Sequence, residues 1–123
     1  MAAPNLIGAT TITGKIGGIT LTTTSATSVL SNAASSGKCL KVNTLNACNY
    51  GTEPASITVG YYTQASAGGS LFSIVRGIVV PAGSTLNVID KSSQYYLEEN
   101  TSIGATSTVA NIIDITYSYE EIS

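Results

Sequence analysis

Residues 79–123, VVPAGSTLNVIDKSSQYYLEENTSIGATSTVANIIDITYSYEEIS, repeat one device: short runs of alternating apolar and polar residues cut by turn residues. Asp114-Ile115-Thr116-Tyr117-Ser118-Tyr119 is the plainest case, with a large side chain at every second position. A period of two marks a strand with two unlike faces. Turn residues at Pro81-Ala82-Gly83, Lys91-Ser92-Ser93 and Ala110-Asn111 divide the segment, predicting strands over 85–90, 95–98, 102–107 and 111–119.

The same reading runs upstream. Residues 25–33 form a short strand centred on Val29 and Leu30, ended by Ser35-Ser36-Gly37-Lys38. In 39–49 the apolar positions are Leu40 and Val42, then Leu45 and Ala47, on the opposite phase. One extra residue produces such a switch, so a β-bulge is expected near Asn43-Thr44. Residues 55–63 place Ile57, Val59 and Tyr61 on one face and Thr58, Gly60 and Tyr62 on the other; the small, polar 65–70 follows as an exposed tip. Residues 72–80 carry Phe72, Ile74, Ile78 and Val80 in phase, interrupted by Arg76, which marks an exposed edge, a partner contact or a kink at Gly77. Residues 5–24 alternate weakly around a Gly17-Gly18 break and read as an extended arm or edge strand, lying on its own domain or reaching onto a neighbour.

About nine short strands, roughly ten residues apart and with no helical period, indicate an all-β antiparallel sandwich. A jelly roll and an Ig-like Greek key both fit. The expected organisation is an N-terminal arm or edge strand over 1–24 and a single sandwich domain over 25–123.

Composition narrows the function classes. A chain of 123 residues with 43% hydrophobic residues can bury a core, and charged residues are only 10%, far below the usual quarter or so. Seventeen Thr and sixteen Ser stand in their place. A hydroxyl-rich, charge-poor surface suits a domain packed against neighbours. The net charge is −2 and the five basic residues, Lys15, Lys38, Lys41, Arg76 and Lys91, are scattered, so the basic stripe of a nucleic-acid binder is missing. No apolar run has the ~20 residues of a membrane helix, and Met1-Ala2-Ala3-Pro4-Asn5 does not open a signal peptide. Cys39 and Cys48, on one extended segment, would stand about 30 Å apart, beyond disulfide reach unless the segment folds back; two free thiols behaving as small apolar residues are expected.

Candidate chemistry is thin. The chain has no histidine, which removes the commonest general base and metal ligand. The acids are Glu53, Asp90, Glu98, Glu99, Asp114, Glu120 and Glu121; the adjacent pairs point to opposite faces when extended, unlike the facing carboxylates of a glycosidase. Glu98-Glu99-Asn100-Thr101 is the best oxygen cluster for calcium, yet solvated turns and strand ends account for all seven acids. Tyr61, Tyr62, Tyr95, Tyr96, Tyr117 and Tyr119 could stack on sugars, but alternating tyrosines more often pack within sheets. No catalytic, cofactor-binding or metal-ligating residue is expected.

Several runs, however, carry a resemblance: Ser31-Asn32-Ala33-Ala34-Ser35-Ser36-Gly37-Lys38, Lys41-Val42-Asn43-Thr44-Leu45, Val80-Pro81-Ala82-Gly83-Ser84-Thr85-Leu86-Asn87-Val88-Ile89-Asp90-Lys91, Tyr96-Leu97-Glu98-Glu99 and Ser118-Tyr119-Glu120-Glu121-Ile122. Together with the Met1-Ala2-x-Pro4-Asn5 start, they resemble a family of small virion structural proteins of tailed bacteriophages, best known from phages of cyanobacteria. Cys39 and Cys48 depart from it, standing where Val or Ala is expected. The resemblance implies a high-copy, non-enzymatic β-sandwich on the particle surface, a capsid decoration (cement) protein that binds the major capsid protein. Assembly in the host cytoplasm, a homo-oligomer (a trimer before a dimer) and the absence of nucleic-acid or membrane partners complete the expectation. A neck, tail or fibre component is one alternative. A receptor- or glycan-binding module using the tyrosines is another.

Overall fold

A computed structural model describes residues 6–123, so the first five residues of the expected arm lie outside the described residues. After a single 3-10 turn at Leu6–Gly8, the chain forms nine strands: β1 (Ile12–Thr20), β2 (Thr27–Asn32), β3 (Cys39–Asn49), β4 (Ala55–Gln64), β5 (Gly68–Val80), β6 (Thr85–Ile89), β7 (Tyr95–Leu97), β8 (Thr101–Ser107) and β9 (Ile113–Ile122). One sheet runs β1-β9-β3-β6, with β7 also on β3; the other runs β2-β8-β4-β5. All pairs are antiparallel.

The pairs β1·β9, β2·β8, β3·β6/β7 and β4·β5 are nested about the β4–β5 hairpin. Rolling that long ladder over itself adds β9·β3 and β8·β4. This is the jelly roll, which selects one of the two topologies left open by the strand pattern. The two inner faces close on Leu21, Leu40, Val42, Leu45, Ile57, Val59, Ile89, Leu97, Ile103, Ile113 and Ile115, all nearly inaccessible to solvent.

The β3 bulge stands where the phase switch puts it. Val42 pairs with Tyr119 and Thr44 with Ser118, leaving Asn43 extra. Leu40, Val42, Leu45 and Ala47 are therefore all buried despite their opposite phases. A second bulge, at Ser28/Leu30, buries both Val29 and Leu30.

Three expectations are corrected. The Gly17-Gly18 pair does not break the first strand: β1 pairs with β9 over nine consecutive residues without a shift. Gly17 is there because a Cβ would lie 2.5 Å from the Tyr117 ring on β9. Phe72, Ile74, Ile78 and Val80 do not share a buried face; Val80 is buried, Ile74 half-buried, and Phe72 and Ile78 exposed. The register of β5 on β4 shifts three times and Gly77 sits at φ +63°; Phe72, Ile78 and Val80 still pair with Tyr61, Ile57 and Ala55, so it is their burial, not their phase, that differs. The last strand runs on to Ile122, taking Glu120 and Glu121 into the sheet.

Buried polar groups fix the strand ends. Asn49, fully buried, donates through Nδ2 to the Glu53 carbonyl (2.8 Å) and the Val80 carbonyl (2.9 Å), and its Oδ1 accepts from the Gly51 N–H (2.9 Å). Asn32 does the same at the other end, donating to the Lys38 carbonyl (2.9 Å) and the Leu97 carbonyl (3.0 Å). Such satisfied amides replace the ladder where strands hand over to loops. Cys39 and Cys48 are both free, at the two ends of β3; Cys39 is buried and Cys48 half-buried.

Candidate functional site

Alternation sends Tyr61 and Tyr62 to opposite faces of β4, whereas Tyr95 and Tyr96 of the three-residue β7 line one cleft together. On β4, Tyr61 pairs with Ile103 of β8 and Phe72 of β5, on the inner face. Its neighbour Tyr62 lies over Gly104 on the other face, where a Cβ at Gly104 would meet the Tyr62 ring at 2.6 Å. The glycine explains why Tyr62 is buried and Tyr61 only half-buried. On β7, Tyr95 pairs with Val42 and Tyr96 with Lys41.

The result is a cleft of about 350 Å³ where the two sheets part, lined by Tyr61, Phe72, Ser73 and Ile103 from one sheet and Tyr95, Tyr96 and Leu97 from the other. Its floor is apolar, since Ile103 and Leu97 belong to the core. Its rim is aromatic and open: Phe72 is 61% exposed and Tyr96 49%. Tyr61 and Phe72 stack with centroids 6.0 Å apart. At the rim, Arg76 Nε donates to Ser73 Oγ (2.9 Å). An apolar floor under flat aromatic walls suits binding by stacking and area burial.

Five of the seven acids have structural partners: Glu121, Glu120, Asp114, Asp90 and Glu99. Glu121 sits 3.1 Å from Lys38 and 3.3 Å from Lys15, tying β9 to β1 and to the loop before β3. The Lys38 hydrogen bond, ahead of opposing desolvation and of Lys15, holds the Glu121 carboxyl below its ordinary value. Glu120 lies 3.7 Å from Lys41 and accepts from Asn43 Nδ2 at 3.2 Å. Asp114 accepts from Thr20 Oγ1 across β1·β9. Asp90 caps its own turn through Ser92 and Ser93, whose hydrogen bonds depress its carboxyl, those of Ser92 first. The suggested calcium cluster is held by other contacts: Glu99 accepts from the Gly37 N–H, Asn100 from the Ala65 N–H, and the Thr101 hydroxyl donates to the Glu98 carbonyl within the turn. Among the described residues no group of His, Cys, Asp and Glu gathers into a metal site, and no helix is long and apolar enough to cross a membrane.

Sequence reasoning named Tyr61, Tyr95 and Tyr96 but missed Phe72 and Ile103 as their partners. In sequence, Phe72 reads only as in phase with Ile74, Ile78 and Val80; the structure pairs it with Tyr61 and leaves it exposed at the rim.

Comparison with known proteins gives fold and nothing finer. No protein family and no curated protein matches the sequence. Among solved structures, the chain is similar to one from the Bacillus endospore appendages that form a novel family of disulfide-linked pili, at 15% identity and TM-score 0.50, over 99% of this chain and 95% of that one. It is similar also to a chain of the virus-like particle of the giant freshwater prawn Macrobrachium rosenbergii extra small virus, at 8% identity and TM-score 0.52, over 97% and 82% of the two chains. A chain of the cyanophage Pam1 capsid aligns over 99% of this chain and 91% of its own at 13% identity, but its TM-score is 0.37. The first two likenesses span nearly the whole sandwich and establish the same β architecture.

Proposed function

We propose that the chain is a non-enzymatic structural protein of a virus particle, a capsid decoration (cement) protein that binds the major capsid protein and stabilises the head of a tailed phage. The observation that carries this reading is the jelly roll itself, shared over almost its full length with a chain of a virus-like particle. The sequence resemblance to small virion proteins of tailed phages supports the same reading. Side-chain accounting agrees with it: Lys15, Lys38 and Lys41 pair with Glu120 and Glu121, so the described residues gather no cationic stripe for nucleic acid. The protein works at the virion surface, assembled in the host cytoplasm, with the major capsid protein and further copies of itself as partners, the copies grouped as trimers at three-fold positions of the shell.

Quantitative mass spectrometry of purified particles tests it. Hundreds of copies per particle are expected; about a dozen would place the chain in the neck, tail or fibre instead. A second reading, a glycan-binding module, is favoured by one observation, the convergence of Tyr61, Phe72, Tyr95 and Tyr96 on a single cleft. A glycan array separates the two: binding that is lost in Tyr61→Ala and Tyr95→Ala supports the module, and an array without binding removes it.

A further inference from the structure

Among the sheet edges, one differs from the rest. Native proteins guard edge strands with bulges, kinks, charges or brevity. β5 carries three register shifts, Arg76 and the left-handed Gly77. β2 is bulged at Ser28/Leu30. β6 and β7 have five and three residues. β1 has none of these guards: nine residues in unbroken register, no proline, and a single charge, Lys15, already neutralised by Glu121 at 3.3 Å.

The hydrogen bonds of its flanks fix which backbone groups are open. Thr11 and Ser123 exchange both N–H···O bonds (3.0 and 2.9 Å), and the Leu21 N–H donates to the Ile113 carbonyl (2.9 Å). With the register unbroken between them, odd-numbered residues bond to β9. The even-numbered residues, Ile12, Gly14, Ile16, Gly18 and Thr20, turn both N–H and C=O to the open edge. Their side chains share the outer face, where Ile12 is 61% and Ile16 84% exposed.

The glycines beside Ile16 add an independent sign. A Cβ at Gly14 would meet nothing within 4 Å, and one at Gly18 only ordinary contacts at 3.6 and 3.9 Å. Neither residue has a left-handed φ. Glycine within a strand costs stability and often marks the close approach of another backbone. Nothing among the described residues explains Gly14 or Gly18.

We propose that the open edge of β1 is a self-association surface that takes β1 of a second copy, antiparallel, about a two-fold axis at Ile16. The pattern is its own complement. Pairing Ile16 with the second copy's Ile16 sets Gly14 against Gly18 and Ile12 against Thr20, all even positions, so about ten N–H···O bonds close at once. Each exposed Ile16 side chain then lies diagonally between the glycines of the other copy. Lys15 faces Gly17, so no like charges stand directly opposite. A strand without charge or bulge has little with which to select a foreign partner but matches itself. The two first sheets fuse into one, an isologous contact that is a dimer by itself and compatible with trimers on a shell. The inference does not depend on the virion reading.

Sedimentation velocity and amide hydrogen exchange on the full chain, over a concentration series, test it. The expected result is a reversible dimer in which the amides of Ile12, Gly14, Ile16, Gly18 and Thr20 become protected as concentration rises, while those of Thr13, Lys15, Gly17 and Ile19 are protected throughout. Gly14→Val and Ile16→Pro should weaken association about tenfold or more without lowering the unfolding temperature of the monomer, because the Ile16 N–H has no partner among the described residues; if the proline variant does not fold, Gly14→Val decides. A monomer at millimolar concentration, an oligomer whose even-numbered amides exchange as freely as in the monomer, or a Gly14→Val protein that associates like the parent would each overturn it. Protection of the same amides only on a capsid would give the edge to a foreign strand and also overturn self-pairing.

Discussion

Asn49 holds more of the fold together than any charged residue. Its amide bonds three loop and strand-end groups in a site closed to water, so Asn49→Ala strands the Glu53 and Val80 carbonyls and the Gly51 N–H. The expected loss is about 2–3 kcal/mol, read as a lowered urea midpoint at unchanged m-value. Gly17 and Gly14 make a matched pair on the same strand: Gly17→Ala drives a Cβ into the Tyr117 ring and should cost about 1–3 kcal/mol, whereas Gly14→Ala has open space and should leave the melting temperature of the monomer within a degree or so. Glu121 sets part of the acid response. Its folded value is depressed by Lys38 and then Lys15, so on acidification the unfolded chain takes up the proton first, near the ordinary glutamate value of about 4.3. The stabilisation is complete above that value and is lost as pH falls through the folded one. Urea midpoints measured from neutral pH down to about pH 3 should therefore fall less steeply in Glu121→Gln than in the parent. The thiols also differ: desolvation and then Glu98 push the Cys39 thiol up and it is buried, so a maleimide should modify Cys48 first, and equal rates would contradict the structure.

The Asn43 bulge shows how much of the strand pattern was legible and why. Its position followed from two apolar phases in one run, because burial of Leu40, Val42, Leu45 and Ala47 on a common face permits only an inserted residue. Deleting Asn43 should turn one of those pairs to solvent and abolish the cooperative unfolding transition; a deletion that melts like the parent would refute this account of β3. Strand β5 shows the opposite case. Its phase looked regular, but an edge strand with one free side tolerates extra residues, and its three shifts follow from no local signal in the sequence. Phe72 pairs with Tyr61 yet stays exposed, so the tyrosine half of the aromatic cleft was readable from the sequence and the other half was not. Gly17-Gly18 misled for a related reason: a glycine that makes room for a ring on the next strand looks, in sequence, like one that ends a strand. The sequence pattern narrowed the topology to a jelly roll or a Greek key but not further, since alternation fixes faces and not the order in which strands pair.

The molecule taken whole is a closed sandwich whose charges are few, five of them (Lys15, Lys38, Lys41, Glu120 and Glu121) paired with one another, with an aromatic cleft at one parting of the sheets and one unguarded edge. Such a surface suits repeated contact with neighbours. Low charge keeps such contacts from depending on salt, so particle-bound protein should stay bound when ionic strength is raised, as followed by sedimentation of particles; release at moderate salt would argue for an electrostatic attachment that this surface does not provide. The most direct measurement is a cryo-EM reconstruction of a phage particle that carries the chain. The account predicts that the sandwich fits density on the outer surface of the head, repeated over the icosahedral lattice and seated on the major capsid protein. Density for it confined to the portal, tail or fibres, or none on the particle, would contradict the account.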